Sequence, residues 1–148
     1  MSNWITITKS DLYNSKAAAL IDAVDQVSLG ANQTDRTTGV LADVTLEIRR
    51  RVAKCNQLDQ NTTAIPAGLK PLAVDLAYVR LKNALELPLT DDERILLAQR
   101  EEQLDRIADG RDVVDPPDHP LVADFTQPQP QPRFRPRHRE FTWRSQDG

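Results

Sequence analysis

The chain has 148 residues, a formal net charge of −3 and a mean hydropathy of −0.53, room for one ordinary domain and little more. No run approaches the ~20 apolar residues that a helix needs to cross a bilayer, and the opening MSNWITITKS lacks the basic-then-apolar order of a secretory leader. A soluble chain without membrane or leader is therefore expected, and the single cysteine, Cys55, excludes an intrachain disulfide.

Trp4 to Thr8 alternates weakly and is β-prone, which suits a short strand or an extended segment. Thr8 then precedes Lys9-Ser10-Asp11, a plausible helix start with acid in its first turn. Ser15 to Gln26 is alanine-rich with Leu20, Ile21 and Val24 on one face, which predicts a helix, and Gly30 to Asp35 reads as a loop. From about Asp35 to Cys55, Val40, Leu41, Val44, Ile48, Val52 and Cys55 keep helical spacing, while Arg36, Asp43, Glu47, Arg50, Arg51 and Lys54 fall largely opposite. At the end of that helix Cys55 reads as a small buried hydrophobe. Asn56 to Ala67 is polar, contains Pro66 and reads as a loop.

A third long helix fits Pro66 or Ala67 to Leu87, with Pro71 tolerated in the first turn and Pro88 as the stop. Leu69, Leu72, Ala73, Leu76 and Val79 form one stripe, and Val74, Tyr78, Leu81 and Leu85 a second. A helix apolar on two faces is central to a bundle or shared with another subunit. The last helix has the clearest boundaries. Thr90-Asp-Asp-Glu93 is a capping box, and Gly110 suits the C-terminal cap. Leu97, Leu104, Ile107 and Ala108 point one way; Glu101, Glu102 and Asp105 point outward.

Past Gly110 the composition changes: seven of the ten prolines lie in 116–148, and Gln127 to Pro132 must be extended, near polyproline II. The same stretch holds four of the seven aromatic residues, Phe125, Phe134, Phe141 and Trp143. Charge is divided as well, with 14 Lys/Arg against 18 Asp/Glu in 1–115, while 133–144 has five Arg against one acid. An acidic body with a basic, aromatic arm predicts a docking arm that orders on a partner. The expected fold is all-α, a small bundle of about four helices with a short extended N-terminus. It divides into a helical domain, 1–115, and an extended Pro/Arg/aromatic arm, 116–148.

Catalytic arrangements do not rise above background: the five glycines are scattered singly, and no His pair has metal-ligand spacing. Asp118-His119 reads as a solvated loop pair rather than a metal site, and Asp91, Asp92 and Glu93 as capping residues rather than paired catalytic acids. No enzyme activity, cofactor or metal is expected. Arg49, Arg50, Arg51 and Lys54 suggest a nucleic-acid face, but a continuous triplet spreads round a helix, and the neighbouring acids favour solvated or intersubunit salt bridges. Arg49, Arg50 and Tyr78 are the candidate intersubunit residues. The arm residues Phe125, Arg133, Phe134, Arg135, Arg137, Arg139, Phe141 and Trp143 suit an acidic protein groove through ion pairs and aromatic anchors. They also carry the chemistry of phosphate contact and base stacking, and Arg133 to Arg137 has the alternation of an added strand; protein docking is the favoured reading.

The opening Ile7-Thr8-Lys9-Ser10-Asp11-Leu12, the stretch EIRRRVAKC (Glu47 to Cys55), the stretch IPAGLKPLAVDLAYVRL (Ile65 to Leu81) and the closing DDERILLAQREEQLDRIADGR (Asp91 to Arg111) follow one another in a set order. In that order they resemble the small head-to-tail connector (adaptor, or head-completion) proteins of tailed bacteriophages, over roughly residues 5–115. The resemblance implies a helical protein that binds beneath the portal as a ring of copies, commonly twelve, located in the virion and in host cytoplasm during assembly. It implies as partners the portal protein, a tail or stopper protein, and double-stranded DNA that passes through the channel without sequence-specific binding. The arm lies outside the shared core and is expected to dock on the portal. The acidic body suits a channel along which DNA slides without sticking. The alternative reading is a nucleic-acid-binding packaging or regulatory protein that uses the arginine-rich tail.

Overall fold

The computed structural model describes residues 1–15, 17–27 and 35–121. Over these the chain runs β1 (Trp4–Thr6), α1 (Lys9–Tyr13), α2 (Ala18–Val27), α3 (Arg36–Val52), β2 (Ala64–Pro66), a 3₁₀ turn (Ala67–Leu69), α4 (Lys70–Ala84) and α5 (Asp91–Ala108). The body is helical, as its periodicity implies, but not purely so. β1 and β2 pair antiparallel, Trp4 opposite Pro66, Ile5 opposite Ile65 and Thr6 opposite Ala64. The end of the supposed 56–67 loop is thus a strand. The helix expected at Ser15 to Gln26 is preceded by a separate short one, α1, so the described helices number five. Gly30 to Thr34, within the expected loop, lies outside the described residues.

Local chemistry accounts for most of the boundaries. Asp11 reaches back from the first turn of α1 to accept hydrogen bonds from the Thr8 backbone N–H (2.9 Å) and hydroxyl (3.0 Å). Asp35 caps α3 by accepting from Thr37 N–H at 3.1 Å. The Thr90–Glu93 box forms, with Thr90 N–H donating to Glu93 Oε2 at 2.9 Å and Glu93 N–H to Thr90 Oγ1 at 3.3 Å. Gly110, at φ +74°, closes α5 as expected. α4 stops at Ala84, before Pro88, because Glu86 adopts φ +56° and Leu87 N–H bonds back to the Lys82 carbonyl at 3.0 Å. That is the 6→1 bond of a Schellman turn, built on a glutamate where glycine is easiest.

The core is aliphatic, with Leu12, Ile21, Ile48, Ile65, Leu72, Leu81, Leu104 and Ile107 fully buried and Trp4 the one aromatic residue among the buried side chains described. α4, which carries two apolar stripes, is the central helix and packs on α1, α2, α3 and α5. Ion pairs then strap the helices together. Lys9 of α1 meets Asp25 of α2 and Asp35 at the head of α3, Lys70 of α4 meets Asp11, Arg80 of α4 meets Glu47 of α3, and Arg51 of α3 meets Asp105 of α5. Arg100 of α5 meets Asp75 of α4, and Lys82 meets Glu93 across the same seam. Each pair is partly solvated and worth little alone. Together they bridge the seams between neighbouring helices.

Candidate docking surfaces and the terminal clasp

Arg49 does not lie on a solvated or intersubunit surface. Leu41, Thr45 and Arg49 recur every four residues along α3, and all three are buried. Arg49 is 6 % exposed, and its guanidinium donates to the backbone carbonyls of Asp59 (2.9 Å), Asn61 (2.9 Å) and Ala64 (2.7 Å). It lies 5.7 Å from the centre of the Trp4 ring. Burial lowers its pKa and nearby Asp59 opposes the shift, but an arginine keeps its proton. A fixed cation thus organises the 59–64 loop through three main-chain oxygens, and the expected intersubunit role of Arg49 gives way to an internal one.

The same corner holds the start of the C-terminal region. Asp118 accepts hydrogen bonds from the Ser2 hydroxyl (2.6 Å), Asn3 N–H (3.1 Å) and Trp4 N–H (3.0 Å). Those donors, the hydroxyl first, hold its carboxyl below the usual range. The Trp4 indole N–H donates to the Asp115 carbonyl at 3.0 Å. Asp59, 3 % exposed, accepts from His119 N–H at 2.8 Å and Asn61 N–H at 2.9 Å, which lower its pKa in that order. Residues 119–121 run antiparallel to 58–60: Gln60 N–H donates to the His119 carbonyl at 2.8 Å and Leu121 N–H to the Leu58 carbonyl at 2.9 Å. The chain is therefore clasped to the body as far as Leu121, and the sequence-based boundary at 115/116 falls inside the clasp. The Asp118-His119 pair is exposed, as read, and also fastens the clasp: Asp118 holds the N-terminus and the His119 main chain holds Asp59. One main-chain group on each strand of the small sheet is met as well, the Trp4 N–H of β1 by Asp118 and the Ala64 carbonyl of β2 by Arg49.

Of the other candidates on α3, Arg51 is paired with Asp105. Arg50 and Lys54 are exposed and make no ion pair among the described residues. Arg50, Arg51 and Arg80 line one shallow surface depression with Asp43, Leu46 and Glu47. Cys55 lies past the end of the helix and is exposed rather than buried, because α3 closes at Val52; its thiol donates to the Ala108 carbonyl at 3.1 Å. Tyr78 is half-buried on α4. Its hydroxyl donates to Glu93 Oε1 at 3.0 Å, and the Lys82 ammonium stands 5.3 Å from its ring centre. Lys82, together with the Thr90 N–H, pulls the Glu93 carboxyl down to about 2.

Tyr78 also lines an apolar groove of about 310 Å³ between α4 and the N-terminal half of α5, with Val74, Val79, Leu96 and Leu97. This groove exists because α5 buries only its C-terminal half, at Leu104, Ile107 and Ala108, and leaves Ile95 58 % and Leu96 37 % exposed. A second apolar groove, about 440 Å³, lies between β1 and α3 and is lined by threonines, Leu41 and Leu46.

Among the described residues no group of three or more His, Cys, Asp or Glu is placed to hold a metal ion, and no helix is long and apolar enough to cross a membrane. The arm candidates Phe125, Arg133, Phe134, Arg135, Arg137, Arg139, Phe141 and Trp143 lie outside the described residues. No protein-family model, no curated protein and no solved structure matches this chain.

Proposed function

We propose that the chain is a structural adaptor of a tailed-phage head–tail junction, assembling as a ring of copies beneath the portal, extending the DNA channel and offering a platform to the tail or stopper. The observation that carries this reading is the division of labour along the chain. Many of the body's charged side chains pair across its own helix seams, whereas the arginines and phenylalanines of the C-terminal stretch follow a clasp that runs to Leu121. A rigid body with a tethered adhesive segment suits assembly better than turnover. The order of the connector-like sequence pieces is what supports this choice of assembly.

The test is truncation after Leu121. Cutting at residue 116 instead would remove Asp118 and confound a docking defect with an opened clasp. The full chain mixed with the portal ring of the same virus should elute as a multi-copy complex by light scattering behind gel filtration. The truncated chain should stay folded and elute alone. A truncated chain that joins the portal as well as the full chain does would refute portal docking by the arm.

The second reading, a nucleic-acid-binding packaging or regulatory protein, is favoured by the interleaving of Arg133 to Arg144 with Phe134, Phe141 and Trp143. Its helix-borne half is weakened, since Arg49 is buried and Arg51 is paired. Duplex binding by the full chain in about 0.15 M salt, falling steeply as salt rises, would favour it over the adaptor.

A further inference from the structure

We propose that residues 113–121 form a strap that opens as one unit while the helical body stays folded, and that its opening moves the point at which the C-terminal stretch leaves the body from Leu121 back to Asp112. The proposal concerns the chain by itself and does not rest on the adaptor reading.

The strap is held by polar contacts far more than by burial. Val113 is 93 % exposed and Leu121 48 %, and Asp115, Pro116, Asp118, His119 and Pro120 are exposed as well. Val114, half-buried, packs against the core. What fastens the strap is hydrogen bonding. Ser2, Asn3 and Trp4 donate to Asp118, the Trp4 indole donates to the Asp115 carbonyl, and His119 N–H donates to Asp59. The main chain of 58–60 adds the bonds to His119 and Leu121, and the Gln60 side chain donates to the Pro120 carbonyl at 3.3 Å. Bonds that water can replace add modestly to stability. The helices, by contrast, are joined through fully buried aliphatic side chains such as Ile48, Leu72, Leu104 and Ile107. A segment with few buried apolar contacts opens at a lower free energy than such a core.

The contacts are linked, so they are lost together. Asp118 carries the bonds to the N-terminus, and its neighbour His119 carries those to Asp59 and Gln60. A shift that frees one displaces the other. Pro116, Pro117 and Pro120 each fix φ near −65°, which leaves the strap little freedom to part from the body at one end and stay at the other.

The upstream hinge is marked by the chain itself. Arg111 N–H and Asp112 N–H still bond to the Arg106 carbonyl, at 2.9 and 3.3 Å, behind the Gly110 cap. Val113, the next residue, is almost bare and makes no hydrogen bond among the described residues. Once freed, the nine residues 113–121 span up to about 30 Å at ~3.3 Å each. Opening therefore lengthens the tether of everything past Leu121, and it takes the Asp118 acceptor away from Ser2, Asn3 and Trp4. Whatever engages the sequence beyond Leu121 can draw on that slack.

The experiment is amide hydrogen exchange, followed by NMR on the full chain under native conditions. The amides of Trp4, Gln60, His119 and Leu121 should share one protection factor, at least ~100-fold below those of Ile48 in α3 and Leu76 in α4. Asp118→Ala should lower all four roughly 10-fold. That includes Gln60 and Leu121, whose amides bond elsewhere, while Ile48, Leu76 and Arg111 should keep their protection. Strap amides as protected as the core would overturn the proposal, and so would an effect of Asp118→Ala confined to Asn3 and Trp4. Acceleration that reached Ile48 or Leu76 would make the strap part of the body's own cooperative unit, and acceleration at Arg111 would move the hinge into α5; either would also overturn it.

Discussion

Replacing Arg49 by methionine keeps a flexible stem in the core and removes the guanidinium. Two carbonyl oxygens, of Asp59 and Ala64, then lose the guanidinium donor in a corner where Arg49 is 6 % exposed, while that of Asn61 keeps the Ala64 N–H at 3.2 Å. An unsatisfied buried polar group costs about 1–3 kcal/mol, so two give roughly 2–6 kcal/mol before relaxation. Relief from desolvating a cation offsets part of this, and water entering the loop offsets more. A net loss of about 3 kcal/mol is expected, a large share of the ~5–15 kcal/mol that stabilises an ordinary domain. With a urea slope of about 1–3 kcal/mol per molar, the unfolding midpoint should fall by roughly 1–3 M. Arg50→Met, one residue along on the exposed side, is the control and should stay within about 0.5 kcal/mol of the parent. Amide exchange should accelerate at Asn61 and Ala64 in the Arg49 variant alone. Equal midpoints for the two variants would refute the role assigned to the buried guanidinium.

Acidification should destabilise the fold. Asp11, Asp59, Asp118 and Glu93 all have pKa values lowered in the folded chain, by Lys70, the His119 N–H, the Ser2 hydroxyl and Lys82 respectively as the largest cause. A depressed carboxyl stabilises above its unfolded value of about 4 and loses that contribution as pH falls through its folded value. The urea midpoint should therefore be level from about pH 8 to pH 5 and decline below about pH 4.5; a midpoint unchanged at about pH 3 would contradict this. Glu86→Gly should raise the thermal midpoint by roughly 2–5 °C, because glycine adopts φ +56° without a steric penalty. A lowered midpoint would argue against strain at that turn. The two halves of α5 should respond differently. Ile107→Ala, at a site 1 % exposed, should cost about 2–5 kcal/mol, and Ile95→Ala, at 58 % exposure, less than about 0.5 kcal/mol in the same denaturation assay. Similar losses would show that the N-terminal half of α5 is packed after all.

The body's helices were legible because their signals are local. Apolar spacing along 35–55 and 66–87, the Thr90–Glu93 box and Gly110 each involve residues within a few turns of one another. The two apolar stripes of α4 left it either central to the bundle or shared with another subunit, and the fold puts it at the centre. β2 escaped because three residues, Ala64-Ile65-Pro66, are too short to show an alternation, and its partner lies about 60 residues away in β1. The buried place of Arg49 had a faint signal, the four-residue spacing from Leu41 through Thr45, but the acceptors that make a buried guanidinium tolerable are main-chain oxygens, which every residue carries and no sequence pattern marks. Cys55 went the other way, since α3 stops at Val52 and leaves the thiol in a turn.

Sequence by itself determined that this is an aliphatic helical body followed by a proline-, arginine- and aromatic-rich stretch, because composition and short-range periodicity are properties of neighbouring residues. Only the tertiary structure decided that the body continues past residue 115. Asp118 binds Asn3 and Trp4 from 115 and 114 residues away, and Asp59 binds His119 from 60 away. Those contacts depend on where the folded core brings remote backbone amides, so they carry the clasp to Leu121, past the point where the composition had already changed.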